Sequence, residues 1–287
     1  MCRGGGGVVS PSLARFVIAT RFTLIEHVRN QFAVALVFLF VPLWISLGQF
    51  MIVDVGVSFR LWATGEILVA RGNELTQISG ALNAVTLIVG FAMFSATFSS
   101  GTFDRRLAMA GYPRPQLLLA KVASLVLASA VVSLYATAVM WAYWSPRQPV
   151  LLAVSLFSAA MTYGAVGVAL GTVVRRELEG IFLVVMISVI DLALQNPIAS
   201  KGADTALVRL LPSYGAMQSA SAAGFSHSVL LSCLAVQLAW FAGAALLSLL
   251  AFRRRTRSAV TGQAPSSTQG APCSLPTARR PKSTTRS

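Results

Sequence analysis

Residues 122–174 read VASLVLASAVVSLYATAVMWAYWSPRQPVLLAVSLFSAAMTYGAVGVALGTVV. Two runs free of Asp, Glu, Lys and Arg, Val122–Pro146 and Gln148–Val174, are 25 and 27 residues long, and Arg147 alone separates them. A helix needs about 20 apolar residues to cross the hydrocarbon core of a bilayer. The stretch therefore reads as two crossings joined by the turn Ser145–Pro149, which is short enough to force a tight antiparallel hairpin. A transmembrane β-barrel would show alternating segments of about ten residues. These runs do not alternate, and a helix is the other way to satisfy backbone groups in lipid. Trp141, Tyr143 and Trp144 close the first run, where an interfacial aromatic belt belongs. Gly167 and Gly171 in the second form a GxxxG spacing. That spacing permits close helix contact more than it identifies a dimer face.

The same measure, carried outward, gives charge-free runs of 24 residues (Asn30–Val53), 29 (Leu75–Phe103) and 43 (Leu210–Phe252). Gly180–Ser200 adds 21 residues interrupted only by Asp191. The run of 43 is too long for one helix. Its first part, LLPSYGAMQSASAAGFSHS (210–228), is rich in Gly, Ala and Ser and too polar to face lipid alone. It reads as an extracellular or re-entrant segment before the last span. The expected fold is an all-α polytopic membrane protein with six transmembrane helices, at about 32–53, 79–99, 122–144, 150–174, 180–199 and 229–252.

Composition agrees. Of 287 residues, 55% are hydrophobic and 11% charged, whereas a soluble domain carries roughly 25% charged residues. An ordinary soluble enzyme is excluded. The net charge of +14 invites a nucleic-acid reading, but the basic residues lie between and after the apolar runs, so no nucleic-acid partner is expected. Eighteen Lys and Arg fall on the side of both termini and five (Arg60, Arg71, Arg147, Lys201, Arg209) on the other. The positive-inside rule then places both termini in the cytoplasm of a multi-pass cell-membrane protein. Cys2, Cys233 and Cys273 show no CxxC spacing, and His27 and His227 stand 200 residues apart. Neither a disulfide framework nor a metal or cofactor site is expected.

Three stretches flank or link the spans. Residues 1–9, with Gly4–Gly7, form a flexible extension, and no signal peptide is expected because the apolar run starting near residue 32 is too long for one. In residues 10–31, Leu13, Phe16, Val17, Leu24, Ile25 and Val28 recur at helical spacing among Arg15, Arg21, Glu26 and Arg29. This suits an amphipathic interfacial helix, or a plain cytoplasmic extension of the first span. Residues 258–287, rich in Ser, Thr and Pro, form a disordered basic tail.

The second cytoplasmic loop reads SGTFDRRLAMAGYPRPQLLLAK (100–121). Gly101 and Gly111 bracket a short helix, Asp104–Ala110. Gly111 suits its closing position, Pro113 cannot continue it, and Pro115 suits the first turn of the next span. The product is a stiff basic knob, or a set of charges that only anchors topology.

Chemistry of its own is sparse. No GxxxxGK[ST] precedes any of the three lysines, Lys121, Lys201 and Lys282, so the chain has no P-loop. There is no HExxH or GxSxG, and His227 has no acidic neighbour. Asp191 is the exception. About 16 Å into its span at 1.5 Å per residue, it has Gln195 one turn on and Asn196 following, which makes a local polar face. An intramembrane acid is a functional-site candidate, as a contact in a translocation path or a proton site, or it is hydrogen-bonded between helices as a structural group.

These features resemble the permease subunit of a type-2 ABC exporter. DRRLAMAGYPRPQLLLAKV (104–122) is similar to that family's coupling segment, and LLPSYGAMQSASAAGF (210–225) to its polar re-entrant stretch. The architectural resemblance covers residues 10–257. One departure is that Asp104 sits directly against Arg105 and Arg106. The resemblance implies a non-catalytic transport subunit. A separate ABC ATP-binding subunit would engage Asp104, Arg105, Arg106, Leu107, Gly111, Pro113 and Arg114. A second permease chain, identical or not, would complete the path for an amphiphilic small molecule, drug or lipid-like cargo. The alternatives are a proton-coupled secondary exporter using Asp191, or a non-transporting membrane scaffold.

Overall fold

Proline lacks the N–H that a first helical turn leaves unpaired, and its fixed φ suits that turn. Pro149 accordingly opens the helix Pro149–Val173. This helix is apolar and small-residue-rich on every face, and such a helix belongs inside a protein. Five of the other helices pack against it. The computed structural model describes residues 31–61, 64–109, 114–196, 207–229 and 231–261. In chain order the elements are α1 (Gln31–Met51), β1 (Gly56–Arg60), β2 (Ile67–Arg71), α2 (Gly72–Met109), α3 (Arg114–Tyr143), α4 (Pro149–Val173) and α5 (Glu177–Gln195). A single 3-10 turn (Val208–Leu210), α6 (Tyr214–Phe225) and α7 (Leu231–Thr261) follow.

The molecule is mostly helical, and among the described residues five helices are long and apolar enough to cross a membrane: Val34–Met51, Gly72–Gly101, Leu119–Tyr143, Pro149–Val173 and Leu231–Ala251. Apolar side chains such as Phe38, Leu39, Leu134, Phe182, Leu238 and Leu247 stand exposed around the bundle. That is the surface of a protein whose solvent is lipid. The stretch expected to cross at 180–199 forms α5, of 19 residues.

Close packing at the centre is a matter of missing side chains. At Gly167 a Cβ would be driven into the carbonyl oxygen of Gly90 and would come within 3.1 Å of the Phe94 nitrogen. At Gly171 it would lie 3.0 Å from the Phe94 oxygen. The GxxxG spacing thus seats α4 against α2 of the same chain. One face of α2 is buried along its length, from Leu75 and Ile78 through Leu82 and Val85 to Val89 and Phe94.

Several expectations need correction. The all-α expectation holds in its coarse form, since the chain is mostly helical, but the described residues add one small sheet. Between α1 and α2, β1 and β2 form an antiparallel hairpin with Gly56 opposite Arg71 and Arg60 opposite Ile67. Strands of five residues are too short to register in a count of charge-free runs. Leu61, beside the hairpin, packs with Ala222 and Cys233, and Phe59 meets Phe225 edge-on at 5.9 Å, so the hairpin is pinned to α6 and α7. Asp104–Ala110 is not a separate helix either, because α2 runs unbroken through Gly101 to Met109. A lone interior glycine costs about 1 kcal/mol against alanine, too little to break a helix whose turns from Leu75 to Thr97 are already held by packing. α2 also begins at Gly72 rather than near 79, because Asn73 and Gln77 find polar partners that make a helix start there tolerable. Finally, α7 continues past Phe252 to Thr261, into the stretch expected to be a disordered tail. Residues 1–30, with the expected amphipathic helix, and 262–287 lie outside the described residues.

Trp144 is not a belt residue. Its indole stacks on Phe225 at 5.4 Å and donates to Gln77 Oε1 at 3.1 Å. Trp141 and Tyr143 remain exposed at the surface, where a belt belongs.

Candidate functional site

The twelve-residue α6 is too short to cross a membrane and too buried to lie on one. Tyr214 to Met217 and Ser219 to Gly224 are all buried. Its carboxyl end is closed by the α3–α4 turn: Arg147 N donates to Gly224 O at 3.3 Å and Gln148 N to Ala223 O at 2.9 Å. Its amino end points into the middle of the bundle. A helix start carries orphan N–H groups and a partial positive charge. With no water at hand, each orphan costs free energy comparable to a lost hydrogen bond.

Two neighbouring helices answer that need. From α5, Asp191 Oδ2 accepts from Ser213 N at 3.1 Å. From α7, Gln237 Oε1 accepts from Ala216 N at 3.2 Å. Tyr214 N donates to Leu211 O at 3.2 Å, and the first intrahelical bond runs from Met217 N to Ser213 O at 2.9 Å. Asp191 is thus an N-terminal cap supplied from another helix. The carboxylate is 2% exposed and takes two more donors, the hydroxyl of Tyr163 on α4 and Gln195 Nε2 at 2.5 Å. The second proton of that amide goes to Ser213 Oγ at 2.8 Å. Gln237, fully buried, also donates to Thr162 Oγ1 at 2.7 Å. Gly215 lets α6 and α7 close together, since a Cβ there would sit 3.2 Å from Gln237 N.

A polar ladder continues from this centre along α2. Ser188 Oγ donates to Asn83 Oδ1 at 3.1 Å and lies 2.8 Å from Thr86 Oγ1. Asn196 Nδ2 donates to Ser79 Oγ at 3.0 Å. Interhelical hydrogen bonds in membranes average about 0.6 kcal/mol each, so the ladder specifies the α2–α5 register more than it supplies stability.

Of the residues singled out in the sequence, Asp191 and Gln195 come together at this centre. Asp104, Arg105, Arg106 and Leu107 lie on the last turns of α2, and Arg114 opens α3. Gly111 and Pro113 fall outside the described residues. Tyr163, Ser213 and Gln237 were missed, because a count of Asp, Glu, Lys and Arg passes over polar residues that carry no charge. The usable signal was an isolated Gln or Tyr inside an otherwise apolar run. Among the described residues no group of three His, Cys, Asp or Glu could hold a metal ion.

Gln237→Leu would keep the volume and remove the acceptor for Ala216 N. An orphaned buried donor costs about 1–3 kcal/mol. The thermal unfolding midpoint in detergent should fall accordingly, and Gln237→Glu, which keeps an acceptor, should fall less.

Fold and site together define a helical, membrane-embedded protein built around a short buried helix that two of its neighbours cap. No protein-family description matches the chain, and no curated protein matches it in sequence.

Proposed function

We propose that this chain is the membrane-spanning permease subunit of an ATP-driven exporter, of the type-2 ABC class that its sequence resembles. In this reading α5 also crosses, which brings the spans to six, both termini are cytoplasmic, and α6 is the re-entrant segment before the last span. Hydrolysis takes place on a separate ABC ATP-binding subunit.

The observation that carries the reading is the length of α2. Its apolar part ends at Gly101, yet the helix continues to Met109, and α3 begins at Arg114 with only four residues between them. Eight further residues at 1.5 Å each project the helical hairpin about 12 Å beyond the apolar zone. Arg105, Arg106 and Arg114 fall on this projection, beside Asp104. A continuous helix is a better lever than a hinged knob. Force on residues 104–109 travels along α2 to its glycine contacts with α4 and its polar ladder with α5. A soluble ATPase that changes shape would have a basic handle to push, and the chain has no P-loop with which to push itself.

The centre of the bundle is filled by α4, with Leu152, Leu156, Ala159 and Ala160 fully buried. A path for cargo would therefore run along the outside of the bundle, against a second permease chain. Such a path, lined partly by exposed apolar faces, suits an amphiphilic small molecule, drug or lipid-like cargo. Co-purification tests the reading. A Walker-motif ATPase encoded beside this chain should purify with it, and Arg105→Glu with Arg106→Glu should abolish both that association and export. Survival of both would reduce the projection to a topology anchor.

A further inference from the structure

At the end of the bundle that carries the β-hairpin, a cleft of about 250 Å³ opens between β2, the start of α2, the α3–α4 turn and the end of α6. Its wall is the stacked pair Trp144–Phe225, with Val69 at one edge. Two opposite charges line it, Glu74 and Arg147, and no ion pair joins them. Among the described residues Glu74 pairs only with Arg71, at 4.0 Å, and Arg71 is shared with Asp54 at 3.8 Å. Among the described residues the Arg147 guanidinium and the Ser145 hydroxyl have no partner. Opposite charges that share one cleft and leave each other unpaired are arranged for something that carries both signs.

Size narrows the choice. Drug-sized ligands occupy pockets of about 300–1,000 Å³, so this cleft suits a compact polar group. Its position narrows it again. It lies at the end of three helices that are apolar enough to cross a membrane, α2, α3 and α4, with exposed apolar residues Val69 and Val150 nearby. A headgroup there can keep its acyl chains on the lipid-facing surface.

We propose that this cleft binds the zwitterionic headgroup of a phospholipid, with its ammonium on Glu74 and against the Trp144 ring, and its phosphate on Arg147 and Ser145. Ammonium over an indole face and phosphate on a guanidinium are both favourable pairings. The site does not depend on the transport reading and requires only that the bundle sit in a bilayer.

The test uses the full-length protein in detergent, incubated with equal amounts of phosphatidylethanolamine and phosphatidylglycerol, with retained lipid counted by native mass spectrometry. Phosphatidylethanolamine should be retained in preference. Glu74→Gln and Arg147→Gln should each lower its retention about tenfold, the change that loss of about 1.4 kcal/mol produces. Val69→Trp should lower retention as well, by filling the cleft while leaving both charges in place. Val69 is 73% exposed, so this variant does not threaten the fold. Free phosphoethanolamine should displace the bound lipid. Equal retention of phosphatidylglycerol would overturn the proposal, as would unchanged retention in all three variants. Binding of free phosphoethanolamine with no phospholipid retained would overturn the lipid as the source.

Discussion

Asp191→Ala should lower the unfolding free energy in detergent by about 3 kcal/mol, with α6 the first element to lose its place. The substitution leaves Ser213 N and one proton of Gln195 Nε2 without an acceptor, and the Tyr163 hydroxyl with only Ile187 O at 3.5 Å. Each orphaned buried donor costs about 1–3 kcal/mol, though costs within one network do not add fully. Removing the acid also removes the penalty of burying it, which offsets part of the loss. The lost bonds outweigh that offset, because one of them caps a helix whose start has no water to turn to and the other two donors are buried beside it. Asp191→Asn keeps one carbonyl acceptor but aims an NH2 group at donors, so about half the loss is expected. The pair of variants separates the two readings of this acid. A capping role predicts loss of stability in both and, if the chain is the proposed exporter subunit, export in Asp191→Asn falling only as far as the fold does. A proton-coupling role predicts a stable Asp191→Asn protein that no longer transports. Wild-type stability in Asp191→Ala would end the capping account.

Gly167→Ala should be about as damaging, at about 3 kcal/mol, the upper part of the range for overpacked cores. The obstacle it meets is the backbone carbonyl of Gly90 and the Phe94 nitrogen. Neither can turn aside as a side chain can, so α2 and α4 must separate along their whole contact. If α2 is the lever, export should be lost along with stability. Gly243→Ala is the control. A Cβ there meets nothing within 4 Å, and alanine is the better helix former by about 1 kcal/mol, so this variant should be neutral or slightly more stable. Equal behaviour of the two variants in thermal unfolding would show that the α2–α4 contact is not tight.

How much of this was legible in the sequence depended on range. Apolar runs of 21 to 29 residues are visible because bilayer thickness imposes one length on every crossing. Pro149 and the Ser145–Pro149 turn announced the α3–α4 hairpin through local backbone chemistry. The small-residue stretch at 210–225 was recognisable as something other than a lipid-facing span. The hairpin at 56–71 was not, since five-residue strands carry too few alternations to stand out. Gly101 misled in the opposite direction. Its local helix penalty is real, but it is small against the packing that already holds α2 from Leu75 to Thr97.

The meaning of Asp191 lay beyond the sequence altogether. One chain shows an acid in an apolar run and a polar residue one turn away, and a proton site and a structural cap look alike in that pattern. Ser213 is 22 residues farther on and Tyr163 is 28 residues back. Only the folded bundle brings the two to the same carboxylate. The requirement that each segment match the bilayer acts on consecutive residues and can be read along the chain. The requirement that each buried donor find an acceptor acts through space, and its answer exists only once the helices have packed.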